Sequence, residues 1–253
     1  EASSRRVGIK HHRIAWPISK PIKVAHLTDL HVGWGTPTHA LRRASSLCRA
    51  AKPDLTVMTG DYLNMSLRHL ATLRYLVRRL PRPCVATLGN HDHWSDAKAI
   101  TRALEAEGVI VLSNAHLELK LKGADLPVVG VDDGYTKHAD VERAFAGLGA
   151  PERALVLTHL PETLNEIACH QAPLVLAGHT HGGQVHLPKI TAAIARAAGH
   201  DYLAGWYRKD KTRLYVNAGI GSSGLRLRVG KAAQPEVAIF DLVPTHQGGV
   251  SHG

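Results

Sequence analysis

The stretch "PLVLAGHTH", residues 173–181, changes from a continuous apolar run to two histidines, His179 and His181. A short run of this kind is typical of a strand that is buried on both faces. Gly182 and Gly183 follow directly and predict a sharp change of chain direction, because glycine tolerates left-handed backbone conformations. Taken alone, the stretch fits a pair of metal ligands on an extended segment, and it also fits a pair of ordinary polar loop residues.

Four other stretches show the same change from an apolar run to polar side chains. They are "KVAHLTDLH" (23–31), "DLTVMTGD" (54–61), "CVATLGNHD" (84–92) and "RALVLTHLPE" (153–162). Between the runs lie helix-like segments at 38–51, 66–80, 95–107, 138–148 and 161–170, the third with a predicted cap at Ser95. Short strands that alternate with helices predict βαβ units, in which ligands gather at the carboxyl ends of the strands.

Further strands are predicted at 109–112, 116–121, 127–131, 213–217 and 236–242, with a hairpin around Gly123. We therefore predict an α/β fold in which a two-layered β-sandwich is wrapped by helices, a four-layer α-β-β-α arrangement. The 253 residues contain no internal repeat and no linker-like stretch. This predicts a single domain over residues 1–253, with a core at about 23–241.

The composition limits the partners more than the fold. Apolar residues make up 44% and charged residues 21%, as in ordinary globular proteins, while the net charge of +10 favours phosphates, nucleic acids or anionic membrane surfaces. Aromatic residues make up only 5%, and basic residues form no long tract, which argues against nucleic acid as a partner. The three cysteines lack CxxC spacing, which argues against a thiolate metal site and predicts small buried residues.

The polar strand ends become informative as a set. Asp29 and His31 are two residues apart, so in an extended chain they would point to the same side. Each motif alone is also common in turns. Together the strand ends offer two aspartates, one asparagine and four histidines: Asp29, His31, Asp61, Asn90, His159, His179 and His181. Oxygen and nitrogen ligands without thiolate suit Mn, Fe, Zn or Co.

The ordered motifs DLH (29–31), GD (60–61), GNHD (89–92), His159 and GHTH (178–181) resemble those of the calcineurin-like metallophosphoesterase superfamily. The resemblance covers residues 23–241. "GHTHGGQVHLP" and "YVNAGIGSSGLRLR" are similar to a bacterial branch of phosphodiesterases like YkuE and YaeI, which includes UDP-2,3-diacylglucosamine pyrophosphohydrolases.

The resemblance implies two divalent metal ions, Mn²⁺ first among Mn, Fe, Zn and Co. It implies that Asp29, His31, Asp61 and His181 hold one ion, and that Asp61, Asn90, His159 and His179 hold the other. It also implies that His91 is a catalytic imidazole near the leaving group. Two such ions can hold a bridging hydroxide as nucleophile and clamp the phosphate oxygens.

The branch implies hydrolysis of phosphodiester or pyrophosphate bonds, with UDP-2,3-diacylglucosamine of lipid A synthesis as the specific candidate. A nucleotide or general phosphodiesterase is the alternative, and a non-catalytic scaffold with the same fold is a second. We expect a bacterial protein of the cytoplasm or inner membrane, with peripheral contact to anionic lipid and an N-terminal anchor left open. The sequence does not indicate the oligomeric state.

Several residues have two interpretations. Many relatives have GDxxD where this chain has "GDYLN", so Asn64 stands in place of an acid and is expected to hydrogen-bond His91 at most. Asp132 and Asp133 fit a turn or the rim of the site, His93 fits a wall or the surface, and Asp92 is expected to orient the loop. His26 is expected to be a hydrogen-bonded core histidine.

Two basic or apolar features follow the last metal motif. Residues 187–207 include an amphipathic stretch with Ile190, Ile194 and Ala198 on one helical face, which fits a packed helix, a lid or an acyl-chain slot. Arg226 and Arg228 fit either a phosphate contact or solvated surface charge.

Overall fold

The computed structural model describes residues 6–183, 191, 195–197, 199–223 and 228–245. Its strands form two six-stranded sheets. The first sheet contains, in spatial order, β1 (Gly8–Trp16), β12 (Glu236–Pro244), β2 (Ile22–Leu27), β3 (Leu55–Thr59), β4 (Cys84–Thr87) and β5 (Ile110–Val111). The second contains β10 (Gly205–Lys209), β11 (Thr212–Val216), β9 (Leu174–Ala177), β8 (Leu155–Leu157), β7 (Ala124–Gly130) and β6 (Ala115–Leu121).

Among the described residues, the helices with defined bounds are α1 (Thr38–Ala51), α2 (Leu70–Val77), α3 (Asn90–Ser95), α4 (Ala97–Glu105), α5 (Val141–Phe145) and α6 (Leu164–Ile167). The predicted bounds of α1 are confirmed, whereas the segments at 66–80 and 161–170 combine short 3-10 turns with shorter α-helices. The predicted cap at Ser95 is wrong. Ser95 ends α3, and the Asp96 side chain caps α4 by accepting a hydrogen bond from the Ala99 amide at 2.9 Å.

Three apolar clusters hold the layers together. One lies between the first sheet and α1, α2 and α4, and another lies between the second sheet and α5 and α6. The third lies between the two sheets and includes Val57, Leu174 and Phe240, each fully buried. The predicted four-layer α-β-β-α sandwich is confirmed, because each sheet buries one face against helices and the other against its partner sheet.

The parallel strands bring their carboxyl ends to one edge of the sandwich. In the first sheet β2, β3, β4 and β5 are parallel, with Val24 opposite Leu55 and Thr56 opposite Cys84. In the second sheet β7, β8, β9 and β11 are parallel, while β6 and β7 form the predicted hairpin around Gly123. The Nδ1 atom of His159, just after β8, lies 2.6 Å from the carbonyl oxygen of Thr59 in β3, which ties the two edges together.

Some of the chain departs from the sequence-based expectations. β1 lies before the expected core, and β10 forms from part of the segment at 187–207. Ile190, Ile194, Ala198 and Arg226 lie outside the described residues. Cys169 is exposed, not buried as expected. The assignment of one domain to residues 1–253 stays a prediction.

In the part of the chain that the structure describes, no helix has both the length and the apolar character needed to span a bilayer.

Candidate metal centre

Five strand ends converge at the shared edge of the sandwich. β2, β3, β4, β8 and β9 are each followed within a few residues by side chains that the sequence analysis singled out. These side chains are Asp29, His31, Asp61, Asn90, His91, His159, His179 and His181. The structure therefore brings together all eight residues, although they are spread over about 150 positions of the chain.

The first group of ligand atoms comes from the ends of β2 and β9. The Nε2 atoms of His31 and His181 face each other at 3.0 Å, and they lie 3.8 and 3.5 Å from Oδ1 of Asp29. Two imidazole nitrogens at this separation must have a proton or a cation between them. A carboxylate with two imidazoles is a donor set that suits a divalent transition-metal ion.

The second group comes from the ends of β3, β4, β8 and β9. The Asn90 amide oxygen lies 3.1 Å from Nε2 of His159 and 3.0 Å from Nδ1 of His179. The same Nδ1 atom lies 3.2 Å from Nε2 of His159. Oδ2 of Asp61 completes the group at 3.3 Å from Nε2 of His159.

Asp61 lies between the two groups. Its Oδ2 atom, 3.3 Å from His159, also lies 3.4 Å from Nε2 of His31, and its Oδ1 atom accepts a 2.9 Å hydrogen bond from the His91 amide. The buried carboxylate thus touches both groups and fixes the start of α3, where His91 lies. The His91 ring packs edge-on against His31 with 4.7 Å between ring centroids, and its Nδ1 atom has no hydrogen-bond partner among the described residues.

The backbone of the site is left-handed at most ligands. The φ angles are 51° for Asp29, 41° for His31, 56° for Asp61, 72° for His179 and 51° for His181. The extended geometry expected for the Asp29–His31 and His179–His181 pairs is therefore wrong, because β2 and β9 end before these residues. Left-handed backbone at non-glycine residues is uncommon and costs about 1–3 kcal/mol each, a strain that is typical of functional sites.

Two glycines permit this close packing. Gly60 has a φ of 87°, and a Cβ atom there would lie 2.5 Å from the Gly89 amide nitrogen. Gly182 has a φ of 61°, and a Cβ atom there would collide with the carbonyl oxygen of Ala232. The predicted turn at Gly182 is confirmed, and its glycine is required by contact with the protein's own backbone.

Asp92 holds the loops in place, as expected. Its carboxylate accepts hydrogen bonds from the backbone amides of Asp61 at 2.8 Å, Tyr62 at 2.9 Å and Gly89 at 2.9 Å. Burial and the nearby Asp61 carboxylate raise the pKa of Asp92 to about 7, against the backbone hydrogen bonds that lower it. This one side chain joins the ends of β3 and β4.

Burial keeps most of the imidazoles neutral. It lowers the pKa of His31 and that of His179 to about 3, and it lowers the pKa of His181 well below the ordinary value. His159 differs. Burial lowers its pKa, but the carboxylates of Asp61, Asp29 and Asp133 together raise that pKa well above the ordinary value. Three of the four imidazoles are therefore neutral at neutral pH, the charge state in which histidine binds a metal ion.

Arg228 is buried, so the interpretation of this residue as a solvated surface charge is wrong. The side chain is only 4% exposed, and it donates hydrogen bonds to Nδ1 of His181 at 2.7 Å and to the Ala218 carbonyl at 2.6 Å. A guanidinium cannot accept, so Nδ1 accepts and a neutral His181 carries its proton on Nε2.

Asn64 and His91 form no hydrogen bond with each other among the described residues. The side-chain amide of Asn64 donates to the Trp34 carbonyl at 2.6 Å, so the expected hydrogen bond to His91 is wrong.

Asp133 is confirmed as a turn residue, since it accepts from the amide and hydroxyl of Thr136 at 2.7 Å each. His93 forms part of a wall, with its Nε2 atom 2.8 Å from Oδ1 of Asp132.

Two exposed aromatic rings at the rim, Trp94 and Tyr135, are not among the residues that the sequence motifs predicted. Trp94 lies three residues after His91 on α3, and its ring centroid is 5.0 Å from that of His91. Tyr135 follows β7, and its ring centroid is 5.2 Å from that of His179. The spacing of His91 and Trp94 would have revealed the first contact if α3 had been recognised as a helix.

The residues present fit a pair of divalent cations. Three overlapping groups have ligand atoms that all lie within 4.8 Å of one another: Asp29, His31 and His181; His31, Asp61 and His91; and Asp29, Asp61 and His159. The groups share carboxylates and contain nitrogen and oxygen donors without sulfur, as expected for a catalytic centre. The geometry defines an α/β sandwich with a site for metal ions at the carboxyl ends of its strands.

Comparison with known proteins identifies the family. Residues 22–183 match the family model described as calcineurin-like phosphoesterase, and the chain belongs to this family. It is 30% identical to the uncharacterized metallophosphoesterase YkuE of Bacillus subtilis over 88% of this chain and 80% of YkuE. It is 31% identical to the phosphodiesterase YaeI of Escherichia coli over 92% of this chain and 87% of YaeI.

More distant similarities agree with this assignment. The UDP-2,3-diacylglucosamine pyrophosphatase LpxG of Chlamydia muridarum is 24% identical over 92% of this chain and 88% of LpxG. A dimetal phosphatase from Danio rerio has the same fold, with a TM-score of 0.57 and 11% identity over 89% of this chain and 94% of that one. The chain is a hydrolase of the metallophosphoesterase family, which uses a dinuclear metal centre.

Proposed function

We propose that this chain hydrolyses phosphodiester or pyrophosphate bonds with two divalent cations bound at the strand ends. The observation that carries the proposal is the position of Asp61, whose Oδ2 atom lies 3.4 Å from Nε2 of His31 and 3.3 Å from Nε2 of His159. One carboxylate between two groups of nitrogen and oxygen donors is the arrangement that a two-metal hydrolase needs.

We assign the ligands accordingly. Asp29, His31, Asp61 and His181 hold the first cation, and Asp61, Asn90, His159 and His179 hold the second. When bound, two such cations polarise phosphoryl oxygens and lower the pKa of water, which supplies a nucleophile at neutral pH. Mn²⁺ is our first choice, and Fe, Zn and Co are compatible with the same donors.

We assign His91 the role of the catalytic imidazole. Its amide is anchored on Asp61 at 2.9 Å and its ring packs on His31, while the side chain stays half-buried at the mouth of the site. The imidazole can hold a proton for the departing oxygen or donate a hydrogen bond to a phosphoryl oxygen. Burial lowers the pKa of His91, so the neutral form with one N–H predominates at neutral pH.

For the substrate, we propose a diester or pyrophosphate that carries a nucleotide, with UDP-2,3-diacylglucosamine as the specific candidate. Similarity to LpxG supports this candidate, at 24% identity. The phosphodiesterase YaeI, at 31%, supports a nucleotide or general phosphodiester as the alternative. A non-catalytic scaffold is less favoured, because such a protein has no need to keep all seven ligands.

The net positive charge supports anionic membrane lipid as a further partner. A net charge of +10 favours contact with anionic membrane lipid, and we propose that the protein acts in the bacterial cytoplasm or at the inner membrane. Nucleic acid is a weaker candidate, since aromatic residues make up only 5% of the chain.

The test is the hydrolysis of bis-p-nitrophenyl phosphate by metal-stripped protein with and without Mn²⁺. We expect turnover that depends on Mn²⁺ and is lost in an Asp61→Ala variant, because that variant removes the carboxylate shared by both groups. If none of Mn²⁺, Fe²⁺, Co²⁺ and Zn²⁺ restores turnover, lipid and nucleotide diesters are the next substrates. Absence of bound metal in the purified protein together with no turnover would favour the scaffold.

A further inference from the structure

We propose that Trp94 and Tyr135 form a stacking wall for a planar ring of the substrate, which makes the preferred substrate a nucleoside phosphate ester. This inference rests on the proposed function, since it places the ring beside the site that would bind the phosphate. It assigns specificity to two side chains that hold neither metal ion in our proposal.

The first observation is where the two rings lie. Trp94 is on α3 with its centroid 5.0 Å from His91, and Tyr135 has its centroid 5.2 Å from His179. The two aromatic rings also meet edge to face, with 5.9 Å between centroids and 80° between planes. The stacking wall therefore continues from the proposed catalytic imidazole to a proposed metal ligand.

The second observation is the exposure of these rings. Trp94 is 49% exposed and Tyr135 is 50% exposed, although the interior of the sandwich buries most large apolar side chains fully. Exposed aromatic area gains nothing from burial in the fold, so half-exposed neighbouring rings at a polar site indicate a binding surface. The imidazole of His200 extends the same surface, nearly parallel to Tyr135 at 15° and with 6.5 Å between centroids.

The chemistry of the stacking wall favours a planar ligand. Aromatic side chains bind nucleobases on their faces with little dependence on the base, and each stacked base strengthens binding by about 5- to 150-fold. Trp94 and Tyr135 touch each other, so a base lies against their exposed faces and does not insert between them. The phosphate of the same nucleotide then lies toward His91 and His179.

The test compares two phosphates that differ only in the base. Binding of uridine 5′-monophosphate and of ribose 5-phosphate to the Mn²⁺-loaded protein is measured by titration calorimetry, which requires no turnover. We expect the wild-type protein to bind the nucleotide at least about tenfold more tightly than the sugar phosphate. In Trp94→Ala this ratio should fall to about twofold, Tyr135→Ala should reduce it less, and Trp94→Phe should keep most of it.

Tyr75→Ala is the matched control, because Tyr75 is 53% exposed but lies on α2, where its ring contacts Arg79. Its ratio should equal that of the wild type. Binding of ribose 5-phosphate reports whether each variant keeps a folded phosphate site.

Two results would overturn the inference: equal binding of both phosphates by the wild type, or equal weakening of both in Trp94→Ala. The second would mean that Trp94 only supports His91. Failure of the proposed function has a different signature, which is absence of diester hydrolysis with every cation regardless of the binding ratio.

Discussion

The bodies of the strands and their carboxyl ends are built from different chemistry, although they belong to the same segments of chain. In the bodies, Val57, Leu174 and Leu176 are fully buried between the sheets on a regular hydrogen-bond ladder. At the ends, five of the seven proposed ligands have left-handed φ angles, and buried carboxylates lie against imidazoles. Packing that stabilises the fold and chemistry that serves the site are thus separated by only a few residues.

Some polar groups of the strand bodies pair with each other. Nε2 of His26 lies 2.8 Å from Oγ1 of Thr59, and the Tyr215 hydroxyl donates to Glu236 at 2.6 Å. At the ends, Nδ1 of His31 and Nδ1 of His91 have no hydrogen-bond partner among the described residues. A buried polar group without a partner costs about 1–3 kcal/mol, so these two imidazoles lower the stability of the strand ends.

The largest effect is expected at the strand ends. His91→Gln should lower kcat for bis-p-nitrophenyl phosphate by about 10²- to 10⁴-fold, because it removes the proposed proton-holding group. The Mn²⁺ content should stay at the wild-type value, since His91 is not a proposed ligand. Parallel measurements of kcat and of metal per chain check this, and loss of metal in the variant would move His91 into the ligand set.

A substitution in a strand body should lower stability and leave activity nearly unchanged. Leu174→Ala should lower the free energy of unfolding by about 2–5 kcal/mol, because it leaves a cavity between the sheets. The kcat of the folded variant should stay within about twofold of wild type. Urea unfolding measures the stability, and turnover at urea concentrations below the unfolding transition measures kcat. A large fall in kcat with little loss of stability would contradict the separation of stability in the strand bodies from activity at the strand ends.

A smaller effect concerns a strand-body histidine and depends on pH. Burial lowers the pKa of His26 to about 3 in the folded protein, against 6.5 for an exposed imidazole. Below pH 6.5 the unfolded chain binds a proton that the folded chain does not, so wild type loses up to about 1.4 kcal/mol per pH unit from this group. This loss begins as the pH falls through 6.5 and continues to about 3.

His26→Gln removes that group, at a cost of about 1 kcal/mol at pH 8 for the lost hydrogen bond to Thr59. The stability advantage of wild type should therefore shrink and then reverse as the pH falls to about 5. Urea unfolding of both proteins in EDTA at these two pH values measures the difference. Parallel pH profiles would show that His26 is not buried in its neutral form.

The smallest effect is expected at Asn64, where many relatives have an acid. Its side chain bonds to the Trp34 carbonyl and not to His91. Asn64→Ala should therefore change kcat by less than about threefold and leave the pH profile of kcat in place. A displaced profile would mean that Asn64 orients His91 during turnover.

Much of this contrast was readable in the sequence. Continuous apolar runs such as 173–177 predicted the strand bodies, because burial on both faces leaves few polar positions. The polar residues after each run predicted which side chains would meet. β1 was overlooked because "GIKHHRIAW" mixes basic and apolar residues on an edge strand, where one side of the strand stays exposed.

The strand ends were harder to predict in detail. Left-handed angles at Asp29 and His179 depend on contacts between distant segments, such as the His179 amide with the Asp29 carboxylate at 3.1 Å. α3 was overlooked because the motif GNHD was interpreted as a loop and because this helix has only six residues. Arg228 carried no local signal, since its partners are a histidine 47 positions away and backbone carbonyls.

The central claim is that the strand ends hold two cations that act together. The most direct test is a titration of metal-stripped protein with Mn²⁺, in which bound metal and turnover of bis-p-nitrophenyl phosphate are measured on the same samples. We predict two bound ions per chain, turnover that rises with the second ion, and fewer ions in Asp61→Ala. Full turnover with one ion, or two ions retained in Asp61→Ala, would contradict the shared role of Asp61.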